Sequence, residues 1–281
     1  MQIFRTAEEL RRWSREIRQA SGNIVGLVPT MGALHEGHAS LIRAAASSCS
    51  QVAVSIFVNP TQFGPSEDYG RYPRTFDADC ALATAAGATA IFAPSVEELY
   101  PAGASTFVDV EGLSNCLDGL SRPGHFRGVA TVVTKLLIAA EADRAFFGQK
   151  DAAQVSVIRR MVADLRIGTE IVVCPIVRDA DGLALSSRNA YLSPAERAQA
   201  LTLNRAIRHV ESLASGGERR PCALNEAARG VFASEPAVRI DYIECVNWST
   251  LEPAEVAAPG TLFAVAAYVG ATRLIDNTIL S

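Results

Sequence analysis

Asn23-Ile-Val-Gly-Leu-Val28-Pro-Thr-Met-Gly-Ala-Leu-His35-Glu-Gly-His38 is the stretch on which the reading of this chain turns. Asn23–Val28 is a short apolar run rich in β-branched residues, bounded by Gly22 and Pro29, and it predicts a buried strand. His38–Ser47 then carries Leu41, Ile42 and Ala45 at helical spacing. Strand, glycine-bearing loop and helix make one βα unit, and the same order repeats outward. Gln51–Val58 predicts a second buried strand, stopped by Asn59-Pro60; Phe76–Ala86 predicts a helix and Ala88–Ala93 a third strand. Thr131–Ala140 reads as helix, Arg144–Phe147 as strand, Asp151–Leu165 as helix and Glu170–Pro175 as strand. These strands are continuously apolar, not alternating, as expected where helices cover both faces of a parallel sheet. The expected fold class is α/β, a doubly wound parallel sheet with ligands at the carboxyl ends of its strands.

Beyond about Arg178 the alternation stops. Pro194–Ala214 and Pro221–Ser234 read as helices broken at Gly216-Gly217, followed by strands at Val238–Val246, Thr261–Tyr268 and Arg273–Leu280. Helices followed by strands predict a smaller α+β C-terminal domain, which divides the chain into 1–176 and 177–281. A chain of 281 residues that is 49% hydrophobic has ample material for such cores. The net charge of −4, without any run of Lys or Arg, argues against nucleic acid as a partner. Six cysteines lie far apart with no CxxC pair, as expected of reduced thiols. The amphipathic start, Met1–Arg18, has no apolar signal region, and the longest apolar stretch, Val129–Ala140, is broken by Thr131, Thr134 and Lys135. A soluble, cytoplasmic protein without a membrane partner is the expectation.

Four segments carry chemistry. The first, Pro29–His38, is a βα loop, where a helix start offers free N–H groups and a positive dipole to phosphate. Gly32 and Gly37 allow close backbone approach, and His35 and His38 can donate to phosphate oxygens and stabilise charge on a leaving pyrophosphate. The plain alternative is a polar loop whose two histidines merely cap a helix. His-x-x-His without a third ligand at usual spacing does not suggest zinc, and neither a P-loop nor a dinucleotide fingerprint occurs. The second segment, Asn59–Thr75, offers Gln62 as donor and acceptor beside an apolar wall at Phe63. In the third, Phe146–Gln154, Lys150 supplies a point charge, Asp151 a helix cap or a ribose acceptor, and Gln154 sits one turn on. In the fourth, Val177–Asn189, Ser186, Ser187 and Arg188 suit a clamp on triphosphate oxygens.

PTMGALHEGH, FVNPTQFGPSEDYGRYPRT, PGHFRGV, FFGQKDAAQ and DGLALSSRN, in this order and spacing, resemble the pantothenate synthetase (pantoate–β-alanine ligase) family from Val25 to the final strands. That family belongs to the nucleotidyltransferase superfamily related to class I aminoacyl-tRNA synthetases. The resemblance implies a Rossmann-like nucleotidyltransferase domain with His35-Glu36-Gly37-His38 as its HIGH-type motif and Leu185–Arg188 as a degenerate lysine loop. The implied reaction, a step toward coenzyme A, joins (R)-pantoate and β-alanine into pantothenate. ATP first gives pantoyl adenylate and diphosphate; the amine then displaces AMP.

By motif, Met31, Gly32, Ala33, Leu34, His35, Glu36, Gly37 and His38 would form the ATP site with Gly148, Gln149, Lys150, Asp151, Val177, Leu185, Ser186, Ser187 and Arg188. Gln62 and Gln154 would hold pantoate, Gln62 would also face β-alanine, and His38 matches a residue assigned as proton donor. His35, Lys150 and Arg188 complete the implied catalytic set. Mg2+ accompanies ATP, and a homodimer is implied.

Residue chemistry agrees with that reaction. A carboxylate is already nucleophilic near neutral pH, so adenylation needs positioning and charge stabilisation, not an activated Ser or Cys. Leu185 replaces a more usual Met, a nearly volume-conserving change. Near the implied metal only Asp77 and Asp79 are acidic, so Mg2+ is expected to be held mainly by phosphates and water, and the sequence names no protein ligand for it. A nucleotidyltransferase acting on a phosphorylated acceptor would need more basic residues than Gln62-Phe63 offers. A tRNA synthetase conflicts with the acidic charge, and a binding module without catalysis conflicts with retention of Lys150, both histidines and Ser186–Arg188.

Overall fold

A computed structural model describes residues 1–19, 22–65 and 67–281. The first unit contains strands β1 (Gln2–Phe4), β2 (Val25–Thr30), β3 (Gln51–Ile56), β4 (Ala90–Phe92), β5 (Arg144–Gly148) and β6 (Glu170–Cys174). Between them run helices α1 (Ala7–Arg18), α2 (Glu36–Ser48), α3 (Phe76–Ala85), α4 (Val96–Leu99), α5 (Asp118–Ser121), α6 (His125–Ala140) and α7 (Ala152–Asp164). The strands form one parallel sheet in the order β1-β4-β3-β2-β5-β6. Chain order therefore reverses between β2 and β5, which is where a doubly wound sheet opens a crevice.

Several boundaries differ from the sequence reading, for identifiable reasons. Pro29, expected to end the first strand, lies inside β2. The ladder from β2 to β5 covers only Gly26 and Leu27, so Pro29 falls where β2 is paired on one side alone and a missing N–H is tolerated. The N-terminal strand has no counterpart among the expected elements: three residues are too few for a periodicity, and β1 is fixed by its pairing with β4 at the sheet edge. Helix α6 begins at His125, a full turn and a half before the expected Thr131. It starts after Gly124 in the left-handed region (φ 83°), and its residues are buried nearly all round, so no amphipathic stripe marks its first turns.

The remaining elements are α8 (Pro194–Ser215), α9 (Pro221–Ala233) and the antiparallel strands β7 (Val238–Asn247), β8 (Thr261–Val269) and β9 (Thr272–Ile279), in sheet order β7-β8-β9. Ser193 caps α8 in a reciprocal box with Glu196, and Pro194 fills its first turn. Phe263, Val265, Ala267 and Val269 of β8 pack with α8 and α9. Leu262 and Ala264, on the other face, join the core that contains Val129, Leu136 and Val155 of the first unit. β8 is thus covered on both faces, and the two units share one apolar core.

Candidate active site

The β2–α2 loop is shaped by a residue that the sequence reading treats only as a possible neighbour of a metal. Asp79 of α3, 2% exposed, accepts from the backbone N–H of Ala33 (3.0 Å) and Leu34 (2.8 Å) and from Thr75 Oγ1 (3.0 Å). Its oxygens are committed to holding the loop. Gly32 has φ +85°, and a Cβ there would stand 3.0 Å from Asp79 Oδ2 and 3.1 Å from Ile56 Cγ2. A side chain at that position would displace the loop from its anchor.

The histidines close this loop onto the helix. His35 is the N-cap residue of α2, and its Nδ1 accepts from Gly37 N at 3.1 Å. His38 Nδ1 in turn accepts from His35 N at 3.3 Å, and the two rings lie 4.2 Å apart. Both histidines cap the helix, in line with the plain alternative. Capping does not exhaust them, because an Nδ1 that accepts must be unprotonated, and each neutral ring then carries its proton on Nε2. Burial, the neighbouring His35 ring and the Lys150 charge push the His38 pKa down to about 3. Burial and then the Lys150 charge lower His35 as well. The pair is therefore a set of two neutral Nε2–H donors at a helix N-terminus.

Gln62 lies in a 3₁₀ turn, Pro60–Gln62, that leaves the carboxyl end of β3. Its Nε2 donates to Met31 Sδ (2.9 Å) and its Oε1 accepts from Asn59 Nδ2 (3.1 Å), which joins it to the first loop. Asn59, buried at 1% exposure, also donates to Gly128 O of α6 (3.1 Å) and accepts from Tyr100 OH (2.9 Å). Gly128 is required by contact: a Cβ there would lie 2.3 Å from Thr61 O. Beneath the turn, Arg122 grips Glu67 with two bonds of 2.7 and 2.6 Å and donates to His125 Nε2 at 2.9 Å. A guanidinium can only donate, so His125 holds its proton on Nδ1 and gives it to Gln62 O at 2.9 Å. Burial, followed by the Arg122 charge, lowers the His125 pKa to about 4. Asn59, Glu67, Arg122 and His125 have no individual role in the sequence reading, although His125 stands in the PGHFRGV motif. The signal that could have found them is Arg122-Pro-Gly-His125 directly ahead of a buried helix.

Across the crevice, a cavity of about 710 Å³ is lined by Lys150, Asp151, Gln154, Ser186 and Arg188, with Asp68, Arg122 and His125 on its other wall. Lys150 Nζ is 3.7 Å from Asp151 Oδ1. Asp151 stands at the N-cap position of α7 but makes no side-chain cap, so of its two expected uses the cap is not realised. Arg188 Nη2 meets Asp68 Oδ1 at 3.2 Å, and Ser187 Oγ lies 3.4 Å from Tyr72 OH, so the two loops meet over the cavity. Leu185 N donates to Val177 O (3.0 Å), which closes the hairpin that carries Ser186–Arg188. Met31 and Gly32 line a second cavity of about 350 Å³ with Tyr69, Arg74 and Asp79. His35, His38 and Gln62 border neither space directly. Gln62 reaches the larger one through its bond with His125, and the Cβ position of Gly37 lies 3.7 Å from Cβ of Leu185, whose neighbours Ala184 and Ser186 line it. Two carboxyl-end loops with opposed donors, plus a clamp from the other unit, can fix a polyanion and an acid side by side.

A family model described as pantoate-beta-alanine ligase matches residues 2–279. The pantothenate synthetase of Acidobacterium capsulatum is 57% identical over 290 residues, covering 100% of this chain and 97% of its own length. That of Koribacter versatilis is 55% identical, covering 100% and 96%. Among solved structures, pantothenate synthetase from Thermus thermophilus superimposes with a TM-score of 0.92 at 44% identity, with 99% of each chain covered. Pantoate-beta-alanine ligase from Francisella tularensis, complexed with beta-gamma ATP and beta-alanine, gives 0.81 at 33% identity, covering 99% of this chain and 97% of that one.

Proposed function

The chain belongs to the pantoate–β-alanine ligase family, and from that premise we propose how its residues divide the work. It is a ligase that condenses pantoate with β-alanine in an ATP-dependent reaction through a pantoyl adenylate. In the first step a pantoate carboxylate oxygen attacks the α-phosphorus of ATP, and the bond to diphosphate breaks. In the second, the neutral amine of β-alanine attacks the acyl carbon, AMP leaves with the bonding pair, and the amine nitrogen loses a proton.

The observation that carries the assignment is the reciprocal His35–His38 cap at the strand-order reversal, across the crevice from Lys150. Charge grows on the α-phosphate and diphosphate oxygens during adenylation, and fixed donors there lower the barrier without reorganising. His35 and His38 supply neutral Nε2–H bonds, the first-loop and Gly148–Asp151 backbones cradle the nucleotide, and Lys150 and Arg188 supply full charge. Burial pushes the His38 pKa down to about 3, so the ring offers a neutral Nε2–H to the phosphates. The proton-donor role implied by the resemblance is part of the same proposal. Gln62, held by Asn59 and Met31, and Gln154, in the first turn of α7, take the pantoate carboxylate and hydroxyls. Gln62 is also assigned to β-alanine.

Among the described residues no group of three His, Cys, Asp or Glu side chains could hold a metal ion. We assign Mg2+ to the substrate, entering on the ATP phosphates, where its preference for phosphate and water is met. Residues 1–176 form the floor of the site and 177–281 its roof. Cytoplasmic placement and a homodimer are the proposed setting; among the described residues no helix is long and apolar enough to cross a membrane.

ATP–diphosphate exchange tests the reading. Exchange should require pantoate, and Lys150→Ala should lower it at least about a hundredfold with the fold intact, as for loss of a charge-stabilising donor. Exchange with other acids but not pantoate would refute the substrate assignment.

A further inference from the structure

The side chain that fixes where Lys150 stands is on the last strand of the other unit. Asn277 of β9 is 3% exposed. Its Nδ2 donates to Gln149 O (3.0 Å) and Lys150 O (2.9 Å), and its Oδ1 accepts from Gln149 Nε2 (3.2 Å). Two carbonyls need two donors, which fixes the amide's orientation, and few small neutral side chains offer two donors and an acceptor together. The turn it holds has little support of its own. Residues 149–151 form a 3₁₀ turn, the N-cap residue Asp151 makes no side-chain cap, and nothing lies within 4 Å of the Cβ position of Gly148.

The adjacent residue works on the opposite face of the strand, as neighbours in a strand must. Asp276, 3% exposed, grips Arg178 with bonds of 2.6 and 2.9 Å. Arg178 is bridged to Ala184 in the hairpin whose returning arm runs directly on into Ser186–Arg188. One dipeptide thus holds both arms that face the phosphates.

We propose that Asn277 is a positioning residue for adenylation: it tethers the Lys150 turn to the C-terminal unit and, with Asp276, sets the separation of Lys150 from the Ser186–Arg188 arm. The inference rests on the role proposed for Lys150. A displacement of ~1 Å at a reacting group can cost roughly a hundredfold in rate. Asn277→Ala should therefore lower kcat for exchange by about tenfold to a hundredfold, while the KM for pantoate stays within about twofold. A purely structural role would lower the melting temperature and leave kcat per folded molecule unchanged, which would overturn the proposal. If Asn277→Ala does not fold, Asn277→Asp keeps the shape, removes both donors and answers the same question.

A double-mutant cycle with Lys150→Ala completes the test. If Asn277 acts through Lys150, the double variant is no slower than Lys150→Ala alone. Additive losses overturn the inference while leaving the Lys150 role in place, whereas near-normal exchange by Lys150→Ala alone removes both.

Discussion

Gly37→Ala should separate stability from catalysis, because Gly37 sits in a helix but under an imidazole. It occupies the first turn of α2, and its φ lies outside the left-handed region, so backbone conformation does not demand glycine. Alanine in a helix is favoured over glycine by up to about 1 kcal/mol. Against this, the new Cβ would stand 2.8 Å from His35 Cε1 and 2.9 Å from His35 Nδ1. Carbon contacts settle near ~3.5 Å or more, so the ring must retreat by roughly 0.7 Å. That retreat stretches the 3.1 Å bond from Gly37 N to Nδ1, and loss of an N-cap costs about 1 kcal/mol. The two effects nearly cancel, and the urea midpoint should correspond to a stability within about 1 kcal/mol of the parent. The Nε2–H donor, however, moves with the ring, and exchange should fall on the order of tenfold to a hundredfold. Equilibrium unfolding and ATP–diphosphate exchange on one preparation suffice. Parent-like exchange would refute the requirement for a fixed His35, and a large loss of stability would refute the cancellation.

The remaining expectations concern charge and anchoring. The pKa values of His38 and His125, about 3 and about 4, lie below the ~6.5 of an unfolded histidine, so the unfolded chain binds more protons in between. The stabilisation from these neutral rings is complete above about pH 6.5 and declines as pH falls toward 4; a urea midpoint that rose over that descent would contradict the assignment. Asp79→Asn replaces an acceptor with a donor facing the loop's N–H groups. It should cost roughly 1–3 kcal/mol per unsatisfied group, measured by denaturation, and an unchanged midpoint would argue against the anchor. Asp68→Asn releases Arg188 from the pair that ATP must compete with, and the KM for ATP should fall by about two- to fivefold, the range for a partly exposed pair. A rise in that KM would mean that Asp68 orients Arg188 for the phosphates instead.

The sheet is legible in the sequence because its strands are continuous apolar runs and its helices periodic ones, and both signals are local. Gly32, Gly37, His35 and His38 are legible for a similar reason: they are close in sequence and their order names a βα loop. The residues that escape such a reading share the opposite property. Asp79 meets its loop partners from more than forty residues away, Asn277 reaches Lys150 across 127, and Arg122 reaches Glu67 across 55. Each looks ordinary where it stands: a helical aspartate, a strand asparagine, an arginine before Pro-Gly. Their roles exist only once the fold has brought distant segments together, and no periodicity encodes that. The histidines show a related limit. Their spacing leaves capping and phosphate binding as competing readings, but the structure makes the first support the second. Nδ1 is occupied by the helix end, so Nε2 is the nitrogen left with a proton to offer. Helix capping sets the tautomer, and the tautomer makes this loop a donor surface for an anion.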